Sequence, residues 1–339
     1  MNFDTILGSV DFLEYLRGKQ ATFLLAGSVT KTSEIPHILQ LKNSTKLYLT
    51  PTLNAEFLCS KELKSLENIT KTSKNILKPV FITRAVHELK PFSNIEILDL
   101  GLELKPKINY FKVHKFDIKP SARIDDGAKI NAMEIFQKGV EFGTNYESKD
   151  DYIILSESVI SGDITAVATA KALGYKCDDF LSSSVEDVSR DIKNSTIETA
   201  LKRIQLDDDV FTKLSKVSDN MLIFNAGFIL GSTSKNLKVI LAGGTQMATV
   251  LLIVNSILES MQGAVDSSNI ALCTSKNKDN KNIKTLLEQL NFPINTYSST
   301  FDSNELEDSV GYGAALCYAS INGVNKKELV SKIDSFLGE

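Results

Sequence analysis

The chain has 339 residues, 42% of them hydrophobic and 24% charged, with a formal net charge of −4. That length can bury a large core as one large or two ordinary domains, and the composition is that of a soluble globular protein. Interspersed charges of net negative sign exclude a general binder of nucleic acid or anionic membranes. The start, MNFDTILGSVDFLEYL, carries acids and no basic stretch, so it does not read as a signal peptide. The longest apolar run, MATVLLIV at 247–254, is too short to span a bilayer, and a cytoplasmic protein is expected. Four cysteines and three histidines are scattered without a CxxC, HxH or HExxH. Buried, idle thiols are therefore expected, and no metal site.

In chain order, the runs ATFLLAG (21–27), KLYLT (46–50), PVFIT (79–83), IEILDLG (95–101), YIILS (152–156), KVILAG (238–243) and NIALCTS (269–275) read as strands. Several are apolar throughout, as strands covered on both faces are. Helical patterns fall at 131–146, 164–174, 196–204, 245–261 and 282–290. Residues 102–128 lack a helical period and read as a long excursion, whereas 176–236 read as helices without a clear strand. The alternation predicts an α/β fold, a doubly wound parallel sheet in three α/β/α layers. It forms a single unit over 1–339, with a core at roughly 20–300 and a small helical subdomain from the chain ends, 1–19 and 301–339.

Ligands of such sheets bind outside the carboxyl ends of the strands. Two strand-to-helix turns there hold glycine. In KVILAGGTQM, Gly243 and Gly244 let the backbone approach a ligand, and Thr245 can cap the following helix. No lysine follows, so this is not a Walker loop, nor is it GxGxxG. In SESVISGDITA (156–166), Gly162 permits the turn, Ser161 offers a hydroxyl, and Asp163 stands at the helix start as an N-cap, where a phosphate would otherwise lie. Glu157 is a carboxylate at the end of a buried strand. The bland account of these positions is packing glycines, a helix cap and a paired acid. A third segment, NELEDSVGYGAALCYAS (304–320), sets Glu305, Glu307 and Asp308 before a helix of small residues. One such acid over a cleft could act as a general base.

The segments LYLTPTLNAEFL, FITRAVHEL, SESVISGDITA, LSSSVED, AGGTQM, LCTSK and EDSVGYGAA carry a resemblance. In that order, over essentially the whole chain, the sequence resembles the nicotinate-nucleotide:dimethylbenzimidazole phosphoribosyltransferase family, most of all its divergent archaeal and cyanobacterial-type branch. AGGTQM and TPTLNAEFL are the most specific of these segments. The resemblance implies transfer of the 5-phosphoribosyl group of nicotinate mononucleotide to a benzimidazole-type aromatic nitrogen base. The product would be an α-ribotide for the lower ligand of cobalamin-like cofactors. It further implies no metal and no cofactor, a doubly wound α/β core with a small domain of chain ends, and a homodimer.

By the same resemblance Asp308 takes the place of the catalytic base, one methylene shorter than the usual Glu, and Glu157 that of a second acid. Lys193, which opens KNSTIETAL, takes the place of the phosphate-binding lysine. Gly243 and Gly244 form the phosphate turn, and a hydroxyl at the next strand end maps to Thr274 or Ser275. The branch usually reads ESVPGGTTTA where this chain has Ile160 and Ser161 for Pro-Gly, and Asp163 and Ile164 for two threonines. A carboxylate 4 Å from a phosphate costs about 4 kcal/mol at an effective dielectric of 20. Asp163 is thus expected to weaken phosphate binding or to favour an unphosphorylated riboside. Two alternatives follow, an altered-donor transferase and a non-catalytic nucleotide- or base-binding paralogue. A dinucleotide-dependent oxidoreductase lacks its GxGxxG turn followed by an acid.

Overall fold

The computed structural model describes residues 2–38, 47–66, 77–177, 188–276, 280–302 and 308–338. The segment LSSSVED and the acids Glu305 and Glu307 lie outside the described residues. Eight strands form one sheet: β1 (Phe3–Leu7), β2 (Ala21–Gly27), β3 (Asn94–Asp99), β4 (Lys112–Lys115), β5 (Tyr152–Ser158), β6 (Lys238–Ala242), β7 (Ile270–Lys276) and β8 (Asn295–Asp302). Their spatial order is β1-β8-β7-β6-β5-β2-β3-β4, all parallel except the antiparallel edge strand β1. From β2 the chain winds outward through β3 and β4. It then returns to the other side of β2 as β5 and winds outward again. The direction reverses between β2 and β5, and that reversal opens a crevice at the carboxyl ends of those two strands.

The helices cover both faces. One face carries α1 (Asp11–Tyr15), α2 (Thr50–Ser60), α3 (Lys78–Leu89), α11 (Tyr312–Ile321) and α12 (Lys326–Leu337). The other carries α4 (Ala132–Asn145), α5 (Gly162–Leu173), α6 (Val188–Leu201), α7 (Val210–Val217), α8 (Asn220–Thr233), α9 (Thr245–Met261) and α10 (Asn280–Leu287). Alternate strand residues feed the two cores. Ile153 and Leu155 of β5 pack toward α5 and α9, while Tyr152 and Ile154 pack the other way. Each side of the sheet is therefore apolar, and the three-layer α/β fold expected from the alternation is what forms.

Two expected strands are helices. KLYLT gives a short 3₁₀ turn, Leu47–Leu49, and then the start of α2, and PVFIT lies inside α3. Both helices carry proline in their first turn, where the missing N–H costs nothing. The described residues of α2 are buried through Cys59, so the helix shows no polar face that would betray its period. Three strands went unread. β1 (FDTIL) and β4 (KVHK) are short and mix polar with apolar residues, and β8 reads NTYSSTFD, with serines on a covered strand. Within the chain end expected to be helical, Phe3–Leu7 is instead the edge strand, with Phe3 set edge-on to Tyr297 of β8.

Candidate functional site

The carboxyl ends of β5, β6 and β7 bring together most of the singled-out residues. Glu157 is the next-to-last residue of β5 and is fully buried. Its Oε2 accepts from the Val159 N–H at 3.1 Å, and its Oε1 has no hydrogen-bond partner. Asp308 is 7% exposed. Its Oδ2 accepts from the Ser275 N–H at 2.6 Å and its Oδ1 from the Gly313 N–H at 3.2 Å, so it links the end of β7 to the first turn of α11. Gly243 and Gly244 run between the two acids. A Cβ added at Gly243 would lie 3.8 Å from the Glu157 side chain, and one at Gly244 3.8 Å from Asp308 and 3.9 Å from the Thr274 hydroxyl. At Gly243 the tighter neighbour is Met247, 3.0 Å from such a Cβ, and the two acids stand at ordinary contact distance from the turn.

The Asp308 turn is held by the strands beneath it. Val310 donates its N–H to the Glu157 carbonyl at 2.9 Å and accepts the Thr83 hydroxyl of α3 at 2.8 Å. These bonds hold Val310 at φ +54°, a left-handed conformation that a β-branched residue adopts only when its surroundings impose it. Gly311 follows at φ +62°, and a Cβ there would come within 2.7 Å of Ser156. Backbone strain of this kind collects at functional sites.

Burial acts on both acids. Glu157 is driven well above the usual carboxylate range, first by burial and then by the Asp308 charge, with the Val159 N–H opposing. Asp308 is pushed up to about 6 by burial, against the Ser275 and Gly313 N–H groups that favour its charged form. Both shifts favour the protonated forms, and the Asp308 charge adds to the upward shift of Glu157.

The helix starts differ from expectation. α5 begins at Gly162 with Ser161 as its N-cap residue at φ +61°, and no side chain caps it. Asp163 therefore sits inside the first turn, where its Oδ2 accepts from Lys193 Nζ of α6 at 2.8 Å. Thr245 is the first residue of α9 and does not cap it either. The cap position is Gly244, without a side-chain bond. Both turns thus lack the side-chain caps that Asp163 and Thr245 were expected to supply. Lys193 and Asp163 meet each other beside this group and not at the two acids.

Three further residues belong to the site. Asn54 of α2 donates Nδ2 to Ser158 at 2.9 Å and leaves a buried Oδ1 without a partner. Gln246, in the first turn of α9, leaves Oε1 buried and unpartnered against Gly162. Asp219, fully buried, caps α8 through the Leu222 N–H at 3.1 Å and accepts the Thr165 hydroxyl. Its pKa is raised, burial outweighing those bonds. Asn54 stands inside TPTLNAEFL and Gln246 inside AGGTQM, so the segments most specific to the resemblance already contained both. Nothing in the sequence marked Asp219. All four cysteines are buried free thiols, and among the described residues no cluster of His, Cys, Asp and Glu could hold a metal ion.

No family model matches the chain. It is 29% identical over 334 residues to a UPF0284 protein of Saccharolobus solfataricus, covering 95% of this chain and 93% of that one. It is 28% identical over 343 residues to a UPF0284 protein of Methanocaldococcus jannaschii, covering 96% and 95%. Among solved structures, the fold is similar to CobT from Thermus thermophilus, with a TM-score of 0.62 and 14% identity over 94% of this chain and 84% of that one. It is also similar to the nicotinate-nucleotide-dimethylbenzimidazole phosphoribosyltransferase from that organism, with a TM-score of 0.59 and 14% identity over 95% and 83%. The resemblance read from the sequence is borne out, with UPF0284 proteins as the relatives and CobT as the fold.

Proposed function

We propose that this chain is an N-glycosyltransferase that moves a ribosyl group from a nicotinate-linked donor to a benzimidazole-type nitrogen base. The observation that carries the proposal is the pair of buried acids, Glu157 and Asp308, packed beside Gly243 and Gly244 at the strand ends near the sheet's point of reversal. Attack on the anomeric carbon builds positive charge on the sugar, and the incoming ring nitrogen's N–H must lose its proton. A buried carboxylate serves both needs, since charge stabilisation is strongest away from water. Asp308, at about 6, has an affinity for protons near that required of a general base at neutral pH. Glu157, kept protonated by burial and by Asp308, offers an O–H donor to the sugar. The likeness in fold to CobT and to the Thermus thermophilus phosphoribosyltransferase supports the same reading.

The test is direct. Pure protein is incubated with dimethylbenzimidazole and either nicotinate mononucleotide or its riboside, and nicotinate is quantified. Release above a heat-killed control is expected, and Asp308→Asn should reduce it at least a thousandfold while donor binding persists. No release across both donors and several bases removes the reading. Thermal stabilisation by ligand without product would instead mark a binding paralogue.

A further inference from the structure

We infer that the ribosyl donor of this chain carries a free 5′-hydroxyl and not a 5′-phosphate. The inference rests on the transferase reading and concerns one end of the site, the first turn of α5. Lys193, expected from the resemblance to anchor a phosphate, is already engaged there. Its Nζ donates to Asp163 Oδ2 at 2.8 Å, and the two side chains are only 16% and 24% exposed. The pair joins two elements, α5 and α6, so the fold sets it. A phosphate reaching Lys193 would have to lie against the Asp163 carboxylate, or draw the lysine off and leave that half-buried carboxylate uncompensated.

A second group, packed against this turn from α9, points the same way. Gln246 Oε1 is buried and unpartnered, packed so closely on Gly162 that a Cβ there would lie 2.1 Å from it. Two acceptors thus stand beside the turn, the Gln246 carbonyl oxygen and the Asp163 carboxylate, together with the Gln246 amide nitrogen, 3.0 Å from the same Cβ position. A phosphate dianion brings acceptors only, whereas a sugar hydroxyl brings a donor to such oxygens. On the other side of β5, Asn54 Oδ1 is a third buried acceptor without a donor. A carbonyl oxygen left unsatisfied in a buried site selects for the ligand that can bond it.

The chemistry balances without a phosphate. The C1′–N bond to the nicotinate ring breaks, and its electron pair stays on that ring nitrogen. The acceptor ring nitrogen supplies the pair for the new C1′–N bond. The acceptor's N–H proton passes to Asp308, and the products are nicotinate and a base riboside.

Titration calorimetry with nicotinate riboside and nicotinate mononucleotide, each against the whole protein, reads the preference independently of turnover. The riboside should bind at least tenfold tighter. Asp163→Asn and Asp163→Ser should each tighten mononucleotide binding at least tenfold, because the lysine is released to the phosphate. A riboside advantage below tenfold, equal or tighter mononucleotide binding, or no measurable riboside binding overturns the inference. The nicotinate assay separates it from the reading beneath. A riboside preference in binding with no nicotinate release from either donor sinks the transferase and keeps the assignment of the subsite.

Discussion

Glu157 and Asp308 make opposite contributions to stability and to chemistry. Both have a raised folded-state pKa, so the folded chain holds protons that the unfolded chain, at about 4, has released. Stability then falls as pH rises, by about 1.4 kcal/mol per pH unit per group, from about pH 4 up to each folded pKa. For Asp308 that window closes at about 6. Glu157→Gln copies the protonated acid and removes its share of the loss. At pH 4 the variant should melt close to the parent, and at pH 8 above it, in calorimetric scans; a lower melting temperature at pH 8 would show that Glu157 is charged. The catalytic profile divides the two roles. kcat/KM should rise with pH through about 6 as Asp308 loses its proton, and Glu157→Gln should keep that limb, since Gln imitates the neutral partner that Asp308 already faces. A limb displaced by more than one pH unit in Glu157→Gln would reverse the assignment of the proton.

Residues of this kind were partly legible. Glu157, Gly243 and Gly244 stand at strand ends where an α/β sheet exposes its ligands, and the apolar runs before them locate those ends. By composition and spacing Asp308 was one of several acids before a small-residue helix, and only the resemblance set it apart as the base. What singles it out is tertiary, the Ser275 and Gly313 N–H groups that reach it from two other segments. The Lys193–Asp163 pair was legible as two interesting residues and not as a contact, because 30 positions separate them and nothing local fixes α6 against α5.

At the scale of elements, one closely packed helix pair is written in glycine. Gly139 and Gly143 of α4 face Gly227 and Gly231 of α8. A Cβ on Gly139 would lie 2.2 Å from the Phe224 carbonyl oxygen, and one on Gly227 2.2 Å from that of Phe136. The backbones touch, and the rings of Phe142, Phe224 and Phe228 pack around the seam. Gly227→Ala must part the helices or bend them, although alanine is the better helix former. Overpacking of this kind costs about 1–3 kcal/mol. Urea titration should show that loss with an unchanged slope, and a stabilised Gly227→Ala would mean that the helices do not approach so closely. Asp219, the N-cap of α8, accepts the Thr165 hydroxyl of α5, so the same variant should also weaken ligand binding at the first turn of α5. The spacing Gly139-x-x-x-Gly143 was visible in the sequence, but a glycine pair four apart has no meaning until a partner helix is known. α2 and α3 were misread for a related reason. Short apolar runs fit a covered strand and a covered helix equally well, and only neighbours decide.

Across the whole molecule, the reversal of strand order between β2 and β5 sets where a ligand can act at a distance from the edges. Alternation of strand and helix made that topology foreseeable, but β8 and both edge strands had to be seen, since serine-rich and half-exposed strands carry no apolar signal. The topology makes a prediction that no single residue makes. A nicotinate riboside bound at the strand ends should slow amide hydrogen exchange at the first turns of α5, α9 and α11, which come from three segments far apart in sequence. It should leave β4, at the far edge of the sheet, and α12, packed against α3 on the outer side, unchanged. Stabilisation of the whole chain follows as well, by about 2.7 kcal/mol at a ligand concentration a hundred times Kd, because the unfolded chain has no such site. Protection confined to α12 or to β4 would place the ligand elsewhere and detach Glu157 and Asp308 from it. Protection at all three first turns, lost in Asp308→Asn at α11 but kept at α5, would tie the acid to the base end of the site and Asp163 to the sugar end. That division follows from the contacts, since Asp308 holds the Gly313 N–H of α11 while Asp163 lies in the first turn of α5.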